Sequence, residues 1–117
     1  MSESEILRKI AVIFVTDVVG FSTLMAQNEE LTLRSFRSCK EILDNLFEEH
    51  TGRIFNTAGD SVLAEFPSAV SAVICAVEFQ KLIKARNASV NNEAQMQFRI
   101  GLNMGDVIIE GTNLYGD

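Results

Sequence analysis

The sequence predicts an α+β domain in which helices cover one face of a sheet. Three observations lead to this prediction: short apolar runs of strand character, two longer segments with apolar residues at helical spacing, and a helix followed by two strands rather than one. The chain has 117 residues, 47% of them hydrophobic and 22% charged, which suits one hydrophobic core. We therefore expect residues 1–117 to belong to one domain.

The first predicted strand covers residues 9–15, a near-continuous run of apolar and β-branched residues. Such a run is typical of a central strand that is covered on both faces. The run gives way to Thr16 and Asp17, and Gly20 marks the break after the strand. A short helical turn is expected to follow over Phe21–Gln27.

Two amphipathic helices are predicted from apolar residues that recur at helical spacing. The first begins at Glu29 and ends near His50, with Gly52 as its stop signal. We expect His50 to contact the last carbonyl groups of this helix. The second helix opens with Pro67, whose missing N–H does no harm in a first turn, and its apolar stripe extends to Ile83.

The remaining strands are predicted from short apolar runs, and they cover residues 53–57, 61–66, 96–102 and 106–110. The first two form a hairpin around Gly59 and Asp60. Gly105 marks a bend between the last two, and a polar loop over residues 86–94 precedes them. The order strand, helix, strand, strand, helix, strand is the ferredoxin-like βαββαβ arrangement, with both helices on one sheet face and a further strand at the end.

Composition excludes several function classes. The net charge of −6 provides no basic field, so we expect no nucleic-acid partner. The longest apolar run, residues 10–15, is too short to span a bilayer, and the polar first residues do not form a signal peptide. Cys39 and Cys75 lie in helical patterns among apolar neighbours, which predicts buried thiols and a cytoplasmic protein.

Two aspartates are the candidate chemical groups. Asp17 follows the apolar first strand, and Asp60 lies at the tip of the predicted hairpin. If the hairpin pairs beside the first strand, both carboxylates emerge at one end of the sheet, where they repel each other unless a cation lies between them. Carboxylates of this kind suit Mg²⁺ or Mn²⁺, and two such ions can clamp both the attacking oxygen and the leaving group of a phosphoryl reaction. The structural alternative is that Asp17 caps a helical turn and Asp60 is a turn former.

A phosphate cradle is predicted beside Asp17. Gly20, Phe21 and Ser22 open a helical turn, and the free backbone N–H groups of a helix start bind phosphate. Gly20 lets the backbone approach a ligand closely. An ordinary strand-to-helix turn is the structural alternative.

Four motifs of the chain resemble those of the class III adenylyl and guanylyl cyclases. Residues 14–22, Phe-Val-Thr-Asp-Val-Val-Gly-Phe-Ser, resemble the first metal-binding signature, with one extra residue between Phe and Asp. Residues 56–66, which contain Gly59-Asp60, resemble the second signature. Residues 99–107 resemble the Arg-hydrophobe-Gly-x-x-x-Gly-x-Val strand pair, and residues 114–117, Leu-Tyr-Gly-Asp, match the start of the last signature. The chain is therefore similar to the front part of this catalytic domain, which has the ferredoxin-like fold.

The resemblance implies an adenylate cyclase, which converts ATP to 3′,5′-cyclic AMP and pyrophosphate for intracellular second-messenger signalling. Asp17 and Asp60 would bind two Mg²⁺ or Mn²⁺ ions, with help from the carbonyl of Val18. Backbone amides over residues 20–22 would hold the triphosphate. The family's active site forms at a dimer interface, so a homodimer is expected, in which one protomer supplies the metal aspartates and the other the base-reading and transition-state residues.

Base preference is expected to depend on Asn56 and Asn113, which occupy the positions where adenylyl cyclases often carry Lys and Asp. An amide both donates and accepts hydrogen bonds, so these residues could bind adenine or guanine. We predict ATP as the substrate, with a guanylate cyclase acting on GTP as the alternative.

The family's transition-state Asn and Arg lie just after the segment that ends here at Asp117. The resemblance therefore implies a C-terminally incomplete catalytic domain, inactive by itself, with regulatory or other domains following in the full-length protein. A catalytically silent cyclase-like module that regulates or dimerises is the non-enzymatic alternative. A diguanylate cyclase ranks third, because residues 58–61, Ala-Gly-Asp-Ser, lack the paired Gly-Gly-Asp/Glu pattern.

Overall fold

A computed structural model of the chain describes the backbone of residues 6–110 and 113–116 and the side chains of residues 10–106. The described strands are β1 (Ile6–Val18), β2 (Arg53–Ala58), β3 (Ser61–Phe66), β4 (Phe98–Glu110) and β5 (Asn113–Gly116). The α-helices are α1 (Phe21–Gln27), α2 (Glu29–His50) and α3 (Ala69–Ala88). A 3₁₀ turn, Asn92–Ala94, precedes β4.

The strands form one sheet in the order β2-β3-β1-β4-β5, in which every neighbouring pair is antiparallel. The first four strands and the helices between them have the predicted ferredoxin-like βαββαβ order, and this prediction is confirmed. β3 pairs beside β1, so the tip of the β2–β3 hairpin reaches the end of the central strand.

The core lies between the sheet and the two long helices. Alternate residues of β1, β3 and β4 face these helices, because successive side chains of a strand point to opposite faces. Phe14, Phe47 and Phe66 meet at its centre, with ring centroids 5.1 to 5.7 Å apart. Phe21 of α1 packs edge-on against Phe36 of α2 at 5.9 Å, which attaches the short helix to the long one.

The prediction that β1 is covered on both faces is wrong. On the face opposite the helices Ala11 is buried, but Val15 is 38% exposed. β1 is also longer than predicted, because it pairs with β4 along its whole length, from Ile6 opposite Glu110 to Val18 opposite Phe98. Asp17 therefore lies within the strand.

The α2 boundaries are confirmed, but Gly52 plays a different part from the one expected. Asn28 caps the start, where its Oδ1 accepts a hydrogen bond from the N–H of Leu31 at 3.1 Å. At the other end Thr51, not Gly52, takes the left-handed conformation, with φ 66°. Gly52 is required by space instead, because a Cβ there would lie 2.6 Å from the ring of Phe66.

Helix α3 differs from the prediction at both ends. Ser68 caps it, with its Oγ accepting from the N–H of Ser71 at 3.2 Å, so Pro67 precedes the cap and lies outside the first turn. The helix continues to Ala88, inside the predicted loop. Tertiary hydrogen bonds support this last turn: the side chain of Asn87 donates to the carbonyl of Met96 at 2.7 Å and accepts from its N–H at 3.1 Å.

The two predicted C-terminal strands are one strand. β4 begins at Phe98, not at residue 96, and runs through Gly105 without a break. Gly105 faces Ala11 in the continuous ladder with β1. The local signal for a bend is overridden because the partner strand offers main-chain hydrogen bonds along the whole length.

The prediction that His50 contacts the last carbonyl groups of α2 is wrong. His50 contacts Glu78 of α3 instead, with Nε2 and Oε1 2.7 Å apart. The pair bridges the two long helices. Cys39 and Cys75 are both buried, as predicted. Among the described residues, no helix is both long and apolar enough to cross a membrane.

Candidate active site

The end of β1, the start of β3 and the start of β4 meet at one end of the sheet. Thr16 faces Val62 of β3, and Asp17 faces Arg99 of β4. Asp60 occupies the turn just before β3. The structure therefore places Asp17 and Asp60 at the same end of the sheet.

Asp60 is hydrogen-bonded directly to the main chain of β1. Its Oδ2 accepts a hydrogen bond from the main-chain N–H of Val18 at 2.8 Å. Gly59 allows the tight turn that brings the carboxylate there, since its φ of 58° lies in the left-handed region. The turn thus holds the Asp60 carboxylate one residue away from Asp17 along β1.

Asp17 is paired with Arg99. The guanidinium donates from Nε to Oδ1 at 2.9 Å and from a terminal nitrogen to Oδ2 at 3.2 Å. This two-point contact and the negative charge of Asp17, followed by the charge of Asp60, raise the pKa of Arg99. The side chain of Asp17 is 33% exposed and that of Arg99 69%, so the pair lies at the surface of the site.

Thr16 fixes the backbone beneath Arg99. The Thr16 side chain is buried, and its hydroxyl donates to the carbonyl of Arg99 at 2.8 Å. This bond and the β1–β4 ladder hold the main chain of Arg99, so that its exposed side chain is the part of the residue that can move.

The predicted phosphate cradle begins two residues after Val18. Gly20 adopts φ 66°, and its carbonyl accepts from the N–H of Leu24 to open α1. The ring of Phe21 packs against Phe36 and the core, so only the main chain of Phe21 can face a ligand. Ser22 is exposed.

The base-reading candidates lie on the two edge strands. Asn56 is exposed on β2, where a bulge between Ile54 and Asn56 shifts the register against β3. Asn113 is the first residue of β5 and faces Glu110, which in turn faces Ile6 at the opposite end of β1 from Asp17. The side chain of Asn113, like Asp117, lies outside the described residues.

Two carboxylates are a suitable set for the predicted ions. Within the described part of the chain no cluster of three or more His, Cys, Asp or Glu side chains could hold a metal. Mg²⁺ does not need such a cluster, because it is commonly held by one or two carboxylates together with water and substrate phosphates. Arg99 already pairs with Asp17 as a cation, and its pKa is raised by the contact with Asp17 and then by the charge of Asp60, so this end of the sheet favours positive charge.

The chain is thus a ferredoxin-like domain in which Asp17, near the end of the central strand, and Asp60, in the neighbouring hairpin turn, lie at the same end of the sheet. The family model "Adenylate and Guanylate cyclase catalytic domain" matches residues 3–113. The chain therefore belongs to the family of adenylate and guanylate cyclase catalytic domains.

Particular relatives agree with this assignment. The chain is 39% identical over its whole length to a Rhizobium meliloti (strain 1021) protein named "Putative adenylate cyclase 3", of which it spans 20%. The crystal structure of an adenylate/guanylate cyclase/hydrolase from Silicibacter pomeroyi superposes with a TM-score of 0.82 at 33% identity, over 96% of this chain and 66% of that one. A bacterial light-regulated adenylyl cyclase shares the fold with a TM-score of 0.82 at 20% identity, over 95% of this chain and 36% of that one. The chain thus spans less than two thirds of each of these three proteins.

The parts that Arg99 and Thr16 play in the site were not predicted from the sequence, although Arg99 begins one of the four motifs. Asp17 and Arg99 are 82 positions apart in the chain, so no local pattern links them. They become neighbours only when β1 and β4 are aligned as antiparallel strands, because Asp17 then lies opposite Arg99.

Proposed function

We propose that this domain is the catalytic domain of an adenylate cyclase, which converts ATP to 3′,5′-cyclic AMP and pyrophosphate with two Mg²⁺ or Mn²⁺ ions. The supporting observation is the joint placement of Asp17 and Asp60 at one end of the sheet, with Asp60 anchored on Val18. A silent module has no need for two mutually repelling carboxylates in this position.

Asp17 and Asp60 would hold the ions, with the carbonyl of Val18 as a further ligand. The N–H of Val18 holds the Asp60 carboxylate through Oδ2, which leaves Oδ1 outside this hydrogen bond. Ions held there would lower the pKa of the ribose 3′-hydroxyl and would offset negative charge on the pyrophosphate leaving group. In the reaction the 3′-oxygen loses its proton to water and bonds to the α-phosphorus, while the bond from that phosphorus to the oxygen that bridges it to the β-phosphorus breaks and pyrophosphate leaves with that oxygen.

The main chain over residues 20–22 binds the triphosphate. The left-handed Gly20 turns the chain sharply after β1, so the first N–H groups of α1 open beside the aspartates. A side chain at position 20 would be strained, and it would also stand between the backbone and a phosphate oxygen.

Asn56 and Asn113 select the base. The name of the Rhizobium meliloti relative supports ATP as the substrate. The guanylate cyclase alternative rests on the chemistry of the amide, which can pair with either purine.

The active form is a homodimer. Asn113 pairs with Glu110 of β4, and Glu110 pairs with Ile6 of β1, which is 11 residues along β1 from Asp17, a separation of about 36 Å at 3.3 Å per residue. One copy therefore cannot apply its own Asn113 to a base whose phosphates lie at its own Asp17. A second copy that brings its β5 to this end of the sheet completes the site.

The direct test is cyclic nucleotide production by the full-length protein with Mn²⁺ and either ATP or GTP. Asp17→Asn is compared with Asp44→Asn, a matched change at an exposed aspartate on α2 that pairs with Lys40. Cyclic AMP that disappears only in Asp17→Asn supports the proposal. Cyclic GMP formed from GTP, with no product from ATP, identifies the guanylate cyclase alternative. No product from either nucleotide, with a folded dimer, leaves the regulatory or dimerisation module.

A further inference from the structure

The contact between Arg99 and Asp17 uses both oxygens of a carboxylate that the proposed function assigns to metal binding. Nε donates to Oδ1 at 2.9 Å and a terminal nitrogen donates to Oδ2 at 3.2 Å. The planar guanidinium matches a carboxylate in this two-point geometry, which the single ammonium of lysine cannot reproduce. A metal ion therefore cannot bind the Asp17 carboxylate while the guanidinium keeps both of these hydrogen bonds.

The side chain of Arg99 is free to leave this position. It is 69% exposed, so the pair is a surface ion pair that contributes little to stability. Its main chain is held by the hydroxyl of Thr16 and by the β1–β4 ladder. The guanidinium can consequently turn into solvent without any change in the sheet.

We propose that Arg99 is a latch on the metal site: it occupies Asp17 when no metal is bound and must release Asp17 before an ion binds there. This inference rests on the proposed two-metal function and deepens it. A divalent cation at Asp17 repels the guanidinium as well as replacing it, so the two states exclude each other. The latch neutralises the repulsion between Asp17 and Asp60 in the empty site, and it lowers the affinity for metal.

Two variants separate the latch from a simple effect of charge. Arg99→Gln removes both the fork and the charge, whereas Arg99→Lys keeps the charge and removes the fork. Arg53→Lys is the matched control, because Arg53 forms an ion pair with Glu65 on β3 at 3.1 Å, away from Asp17. If only charge mattered, Arg99→Lys would bind metal as the wild type does.

The measurement is Mn²⁺ affinity without nucleotide at low ionic strength, from the electron paramagnetic resonance signal of free Mn²⁺. We expect Arg99→Lys to bind about two- to fivefold more tightly than the wild type, the size that a surface ion pair can contribute. Arg99→Gln should bind more tightly still, and Arg53→Lys should not change. In parallel, the Nε–H resonance of Arg99 should shift on titration with Mg²⁺ in the wild type and stay in place in Asp17→Asn.

The outcomes distinguish failure of the latch from failure of the proposed metal site. If Mn²⁺ binds the wild type and Arg99→Lys equally and the Nε–H resonance does not move, the latch is overturned and the metal site stands. If the wild type and both Arg99 variants fail to bind Mn²⁺, or if Asp17→Asn binds it as well as the wild type does, the latch and the proposed metal site are both overturned.

Discussion

The main-chain N–H of Val18 donates to Oδ2 of Asp60 at 2.8 Å, across 42 positions of the chain. Val18 is buried at the end of β1, and Asp60 occupies the turn of the neighbouring hairpin. One carboxylate therefore serves two purposes: it satisfies a main-chain donor at a strand end, and it is one of the two proposed metal ligands.

Substitutions at Asp60 should separate these two purposes. Asp60→Ala leaves the Val18 N–H without its acceptor, and we expect a loss of about 1–3 kcal/mol in the free energy of unfolding. Asp60→Asn keeps an oxygen acceptor and should recover most of that loss, measured by urea denaturation. Both variants should lose Mn²⁺ binding. Equal stability of the Ala and Asn variants would show that the hydrogen bond contributes nothing.

Gly52→Ala should destabilise the junction between α2 and β2. The added Cβ would lie 2.6 Å from the Phe66 ring, a ring that is itself packed against Phe14 and Phe47. Overpacking of this kind costs about 1–3 kcal/mol. The control is Gly101→Ala, where nothing lies within 4 Å of the new Cβ. Urea midpoints that fall equally in both variants would contradict the steric explanation.

Asn87→Asp should loosen the entry to β4. The amide nitrogen of Asn87 donates to the carbonyl of Met96 at 2.7 Å, and a carboxylate would place an acceptor against this acceptor. Met96 is buried, so we expect a loss of about 1–3 kcal/mol in unfolding free energy. Asn91→Asp, at an exposed residue nearby, should remain within about 0.5 kcal/mol of the wild type. A thermal melt of each variant provides the comparison.

The two thiols should be unreactive in the folded protein. Burial raises the pKa of Cys39, and burial followed by the charges of Glu78 and Glu49 raises that of Cys75 to about 11. Both are therefore neutral at pH 8, and a disulfide reagent should modify them rapidly only after denaturant is added. Fast modification of both thiols in the native state would show that the helices open readily.

Cys75 also predicts a pH dependence of stability. Because its pKa rises from 9.0 to about 11 on folding, the unfolded chain loses this proton first as the pH increases. The stabilisation is complete below pH 9 and declines between pH 9 and 11. The free energy of unfolding of the wild type should consequently fall more over this range than that of Cys75→Ala. Parallel curves for the two proteins would exclude a role of Cys75.

Local sequence signals were sufficient where an element depends on its own residues. The bounds of α2 follow from its apolar spacing, and the hairpin follows from Gly59 between two apolar runs. Local signals failed where contacts with residues far away in the chain set the bounds of an element. Gly105 is a local signal for a bend, yet the ladder with β1 carries β4 straight through it, and Asn87 extends α3 by bonding to Met96.

For the site, the amino-acid order reveals which groups are present: a carboxylate at the end of an apolar strand, a second at a hairpin tip, and a glycine where the chain must turn. These depend on local chemistry, so patterns a few residues long reveal them. The contact of the Asp60 carboxylate with the N–H of Val18 and that of Arg99 with Asp17 depend on how distant strands pair, and local patterns do not reveal this. Strand register sets these contacts, since a shift of one residue between β1 and β4 would turn Arg99 to the opposite face of the sheet.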